Sequence, residues 1–160
     1  MKPARALLAS LSLLLLAPCA LAQQAFAGPW RIASAVRAPW QDPHHPMAGD
    51  EKRLLGKTVV FEARRVSGPA PIGCSGAKYQ VSDAPYEMLF EGMLAAPPND
   101  HAGTPDTAQA ERAARALGFT GQTAKTLDAG CTELQFHMID ADTALFGLND
   151  RVYTMQRKKK

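Results

Sequence analysis

Beyond its first 22 residues, the chain has no apolar run long enough to cross a bilayer, which takes about 20 residues. It also lacks the signatures of the common chemistries. There is no G-x-S-x-G elbow to raise a nucleophilic serine, no glycine-rich phosphate loop and no dinucleotide fingerprint. Ser67 and Ser75 fall in turn-like sequence, and Asp140 and Asp142 flank a turn of the kind Asp side chains stabilise by hydrogen bonding. No C-x-x-C pair is present among only three cysteines, so a zinc ribbon or a thioredoxin-type redox site is excluded. Tryptophan is scarce too: the chain has two, Trp30 and Trp40, both near the start and both preceded by proline. These absences point away from an enzyme, and no cofactor is expected.

The first 22 residues have the three parts of a secretory signal peptide. Lys2 and Arg5 supply the positive start, a Leu-rich run follows, and Ala20-Leu21-Ala22 gives the small-x-small site for cleavage before Gln23. Cys19 follows Pro18 rather than a small flexible residue, which argues against a lipid anchor there. Removing the leader leaves 138 of the 160 residues, enough for one domain with a core. We expect a domain over residues 23–157 and a short basic tail, Lys158-Lys159-Lys160. The whole chain carries a formal net charge of +3. Two of its basic residues leave with the leader and three sit in the tail, so the body is close to neutral. Nothing here favours nucleic-acid binding. The expected location is the periplasm or the medium, and the expected state is a monomer.

Two cysteines remain after cleavage, Cys74 and Cys131. An even pair in an exported chain is read as a disulfide.

The hydrophobic pattern is mostly of period two. Trp30, Ile32, Ser34, Val36, Ala38 and Trp40 share one parity, with Arg31 and Arg37 on the other, as in a half-buried strand ended by Pro39. The stretch over 54–68 is expected as a strand whose phase changes near Val60, suggesting a bulge. Shorter strands are expected over 77–82, 86–94 and 131–140. "TALFGL" and "RVYTMQR" flank Asn149-Asp150 and form a hairpin signal. One segment differs. Thr104 as cap, Pro105 at the first turn, Ala-rich spacing and Gly118 at the exit predict a helix over about 104–117. The fold class expected is mainly β: a small antiparallel barrel or curled sheet with this one inserted helix.

Gly28-Pro29-Trp30, at the start of the first strand, resembles the G-x-W motif of the lipocalin and calycin barrels. The resemblance implies that Trp30 plugs a closed barrel end and that a basic residue late in the last strand, Arg157, packs across it. It further implies a binding protein that holds a small apolar ligand in the barrel. The chain departs from that pattern in placing its helix before the final three strands. In size, compartment and expected disulfide it is also similar to periplasmic lysozyme inhibitors. The function expected is therefore non-enzymatic binding in a bacterial-type envelope, of a small apolar ligand or an envelope protein. Inhibition of a cell-wall hydrolase or an accessory envelope role is the alternative. Ligand binding predicts a cavity above Trp30; inhibition predicts a filled core.

Three groups remain as candidate contacts. Trp40 precedes a polar loop, where rim aromatics commonly meet partners. His137 has the parity opposite to Leu134, Phe136 and Met138, which places it outward or on a pocket wall. His44, His45 and Met47 carry imidazole and thioether groups that suit copper or zinc, without the spacing of a defined metal site.

Overall fold

The structure, a computed structural model, describes residues 24–44, 46, 49, 51–96 and 105–159. Cys19, His45, Met47, Thr104 and the whole leader lie outside the described residues. The elements are β1 (Gly28–Arg37), α1 (Glu51–Leu54), β2 (Thr58–Glu62), β3 (Arg65–Ser67), β4 (Cys74–Ser75) and β5 (Gln80–Pro85). A 3-10 segment (Tyr86–Gly92), α2 (Thr107–Ala116), β6 (Thr123–Asp128), β7 (Gln135–Met138), β8 (Thr143–Leu148) and β9 (Arg151–Arg157) follow. The nine strands make one antiparallel sheet in the order β4-β3-β2-β1-β9-β8-β7-β6-β5, curled into a half-barrel. The mainly β class read from the sequence is the one observed.

The first strand shows why parity alone misplaces side chains. Trp30 and Ile32 point inward and are fully buried. Between Ile32 and Ser34 the register against β9 slips by one residue. A bulge of this kind turns every later side chain to the other face. Ala35 then packs on the core while Val36 stands 51% exposed. The expected bulge near Val60 is a different feature. Leu54 ends α1, Gly56 turns the chain at φ 79°, and the change of phase is the reversal at Ala63–Arg64 between β2 and β3.

The sheet has apolar packing on both faces. Inside the curl, Phe26, Phe61, Phe136, Phe146 and Tyr153 form a continuous run of ring contacts, with Phe146 stacked on Tyr153 at 5.0 Å. Outside it, α2 and the 3-10 segment cover Leu145, Val152 and Ala124. "TALFGL" is apolar at successive positions because β8 is sandwiched: Phe146 faces the inner cluster and Leu145 the outer one.

Two segments expected otherwise belong to this outer layer. The stretch over 86–94 is not a strand. It is two short helical turns broken at Leu89, Phe90 and Glu91, and it buries Tyr86, Leu89, Phe90 and Leu94 in the outer layer. The helix is shorter than 104–117 and is capped by Asp106, whose carboxylate accepts from the Gln109 N–H at 2.9 Å. Gly118 does end it, at φ +100°. Ala110 and Ala114 lie one turn apart on its buried face, and their small size lets the helix lie close.

The sheet's two edge strands, β4 and β5, are consecutive in the chain. Cys74 on β4 is bonded to Cys131, beyond β6, so the disulfide joins the two ends of the curled sheet. Tyr79 OH donating to Arg65 C=O at 2.8 Å ties the same gap. The bridge spans 57 residues of sequence. Closing a loop of that length removes denatured-state freedom worth about 4 kcal/mol. A Cys74→Ser, Cys131→Ser double variant should lose that stability in urea melts. A melt unchanged by the double substitution would mean that the edge contacts alone hold the curl.

Candidate functional site

Trp30 and Arg157 meet at one end of the sheet. They are cross-strand partners on β1 and β9. The Trp30 indole N–H donates to Phe26 C=O at 2.8 Å, and the Arg157 guanidinium lies over the ring at 4.2 Å from its centre. The guanidinium is held there by the carbonyl oxygens of Ala25, Ala27 and Ala141, with Asp142 at 3.5 Å. Asp142 sits in the turn expected of it, its N–H donating to Asp140 Oδ1. Every polar group here is satisfied inside the protein, and the arrangement closes the fold.

Trp40 lies elsewhere. Pro39 ends the β1 extension, and the Trp40 ring, half-buried, leans on Phe90 at 5.3 Å between centres. Together they line an open cleft of about 370 Å³ on the outer side of the sheet. Met93, Leu134 and Leu148 add apolar surface, and Glu91 and Glu133 bring carboxylates.

The cleft depends on the backbone around Phe90. Phe90 and Glu91 sit at φ 51° and 59°, a left-handed conformation that side chains with a Cβ avoid. Two consecutive residues held so cost on the order of 1–3 kcal/mol each and persist only where the surroundings enforce them. Two neighbours do so. His137 Nε2 accepts the Phe90 N–H at 3.1 Å, and Gly147 on β8 leaves room for the rings. A Cβ on Gly147 would stand 3.1 Å from the Phe90 ring and 3.5 Å from Trp40.

The place of His137 differs from an outward or pocket-wall position, because the face opposite Phe136 is itself buried. The side chain is 0% exposed, between Phe90, whose ring centre is 4.5 Å away, and Thr126, whose hydroxyl lies 2.9 Å from Nδ1. Burial pushes its pKa down from 6.5 to about 3, so the ring is neutral. With Nε2 accepting, the proton sits on Nδ1 and donates to the Thr126 hydroxyl, which in turn donates to Ala124 C=O at 3.2 Å. His137 shapes the cleft from behind without touching its contents.

His44 is exposed, its N–H bound to Asp42 Oδ1 at 2.8 Å in a local turn. Among the described residues no three His, Cys, Asp or Glu side chains gather as metal ligands.

The sequence brings forward Trp40 but not the residues that complete its surroundings. Gly147, an isolated glycine inside a strand, was a legible sign of close approach. Phe90, Glu91 and Glu133 gave none, since their meeting depends on tertiary packing. No family model matches the chain, and neither the curated proteins nor the solved structures hold a match, so the functional reading rests on this geometry alone.

Proposed function

We propose that the protein is an exported, non-enzymatic binding protein that takes its ligand in the Trp40–Phe90 cleft rather than inside the curl of the sheet. One contrast carries the reading. The inner side is filled by packed aromatic rings, while the ring of Trp40 stands partly open on the wall of a cleft of a size that suits a small molecule. Export is supported by the leader over 1–22 and by a disulfide, which an oxidising compartment preserves. The filled interior also supports the alternative, an inhibitor of a cell-wall hydrolase acting through an exposed surface.

Native mass spectrometry of protein recovered from its own envelope tests the proposal. The wild type should carry a small bound species that Trp40→Ala loses. That variant's stability in urea should fall by about 1 kcal/mol or less, the usual effect at a partly exposed position. A bound species retained equally by both proteins would place the site elsewhere. Inhibition of a muramidase by the ligand-free protein, abolished in Trp40→Ala, would favour the inhibitor reading.

A further inference from the structure

We infer that the cleft selects an organic cation: an ammonium group carried on a small apolar body. The inference rests on the reading of the cleft as the binding site and adds the chemistry of what enters it.

The charge of the lining has one sign. Glu91 and Glu133 are its charged residues, both exposed, and no lysine, arginine or histidine lines the cleft. Some other surface carboxylates have cationic partners, as in Glu62 with Arg65, Glu111 with Arg115 and Asp83 with Lys125. Among the described residues neither Glu91 nor Glu133 has one. An anion entering the cleft would meet like charge, and the donors beside it, the amides of Gln135 and Asn149, are uncharged. A cation would meet two carboxylates and, beside them, an aromatic wall whose π face attracts positive charge.

The apolar part of the lining says which cation. A metal ion needs several strong ligands in place of its hydration shell, and among the described residues no three His, Cys, Asp or Glu side chains gather to supply them. Trp40, Phe90 and Met93 instead offer surface to a hydrocarbon body. An ammonium group at the rim keeps water and the carboxylates about it while its hydrocarbon body lies against the aromatic wall. The backbone contributes as well. The left-handed turn at Phe90 and Glu91 sets a carboxylate-bearing residue directly after a ring of the wall, and His137 and Gly147 hold that turn in place.

Three probes with one body and three charges test this: phenethylammonium, 2-phenylethanol and phenylacetate. Binding is read from Trp40 emission, with Trp30 buried as an internal constant. Phenethylammonium should bind about tenfold more tightly than 2-phenylethanol, a preference that shrinks with added salt, and phenylacetate should bind least. Glu133→Gln should reduce the ratio of phenethylammonium to 2-phenylethanol affinity severalfold. Trp40→Ala, checked by circular dichroism to be folded, should weaken both. Equal binding of amine and alcohol would overturn the cation inference and leave the cleft standing as a site. No response to any of the three would overturn the cleft as a small-molecule site and the inference with it. A lysine-containing peptide binding in place of the free amine, with the same loss in Glu133→Gln, would keep the charge chemistry and assign its source to a protein side chain.

Discussion

Trp30→Ala should cost about 3–5 kcal/mol in urea melts, the range for deleting a buried aromatic, while Trp40→Ala costs about 1 kcal/mol or less. The two residues have the same Pro-Trp context and the same strand parity, yet their environments differ. Trp30 is 0% exposed, tilts against Phe26 at 6.5 Å and lies under the Arg157 guanidinium. Deleting its ring opens a void between Phe26 and Arg157, leaves the buried Phe26 carbonyl without its indole donor, and removes a cation–π contact of order 0.5–2 kcal/mol. Trp40 has the bulge in β1 and Pro39 between it and Trp30, and one side of its ring faces the open cleft. If Trp40→Ala proves as destabilising as Trp30→Ala, Trp40 is a packing residue and the cleft loses its wall. Arg157→Lys should be milder than Trp30→Ala. It keeps the charge but cannot hold carbonyls of Ala25, Ala27 and Ala141 at once with a planar fork.

Features carried by local pattern were legible before the structure. The alternation in "RVYTMQR", the Asn149-Asp150 turn with Asn149 at φ 54°, and the exit of the helix at Gly118 all depend on residues within a few positions of one another. The pairing of Cys74 with Cys131 followed from their being the only two left after the leader. Features set by a second layer were not legible. His137 alternates out of phase with Phe136, and in a sheet with one dry face that would place it in water. It is buried because α2 and the 3-10 segment, with the Leu89, Phe90 and Leu94 side chains, make a second core on that side. Val36 was misread for the reverse reason. One inserted residue in β1 leaves no mark in composition, yet it exchanges inside for outside along the rest of the strand. Of the candidate site, the sequence therefore marked one aromatic wall, Trp40, and left unseen the layer that turns it into a cleft.

Acid should unfold the protein earlier than its carboxylates alone would, and His137 should account for the difference. In the folded state the ring is neutral, with a pKa pushed down to about 3 by burial; in the unfolded chain it regains a value near 6.5. The unfolded state therefore binds the extra proton. Stability is complete above pH 6.5, falls as the pH drops from there towards 3, and loses nothing more from this residue below that. The limiting slope is about 1.4 kcal/mol per pH unit, and the total approaches about 5 kcal/mol. Burial alone is the cause of the shift. Phe90 from the 3-10 segment, Thr126 from β6 and the cross-strand neighbour Leu145 on β8 are all uncharged. Between pH 6.5 and 4.5 the fall should reach about 2 kcal/mol, and its lower end overlaps the range in which ordinary carboxylates titrate, so a control is needed. His137→Gln is the control. Its amide oxygen can accept the Phe90 N–H as Nε2 does, but it has no proton to gain in this window. Urea melts at pH 7 and pH 4.5 should show the wild type losing about 2 kcal/mol more than His137→Gln, which starts lower. Parallel losses in the two proteins would mean that the acid sensitivity lies in the carboxylates. Because the folded ring takes a proton at Nε2 only near pH 3, the Phe90 N–H keeps its acceptor through this window, and the emission of Trp40 in the folded protein should stay constant until the chain unfolds.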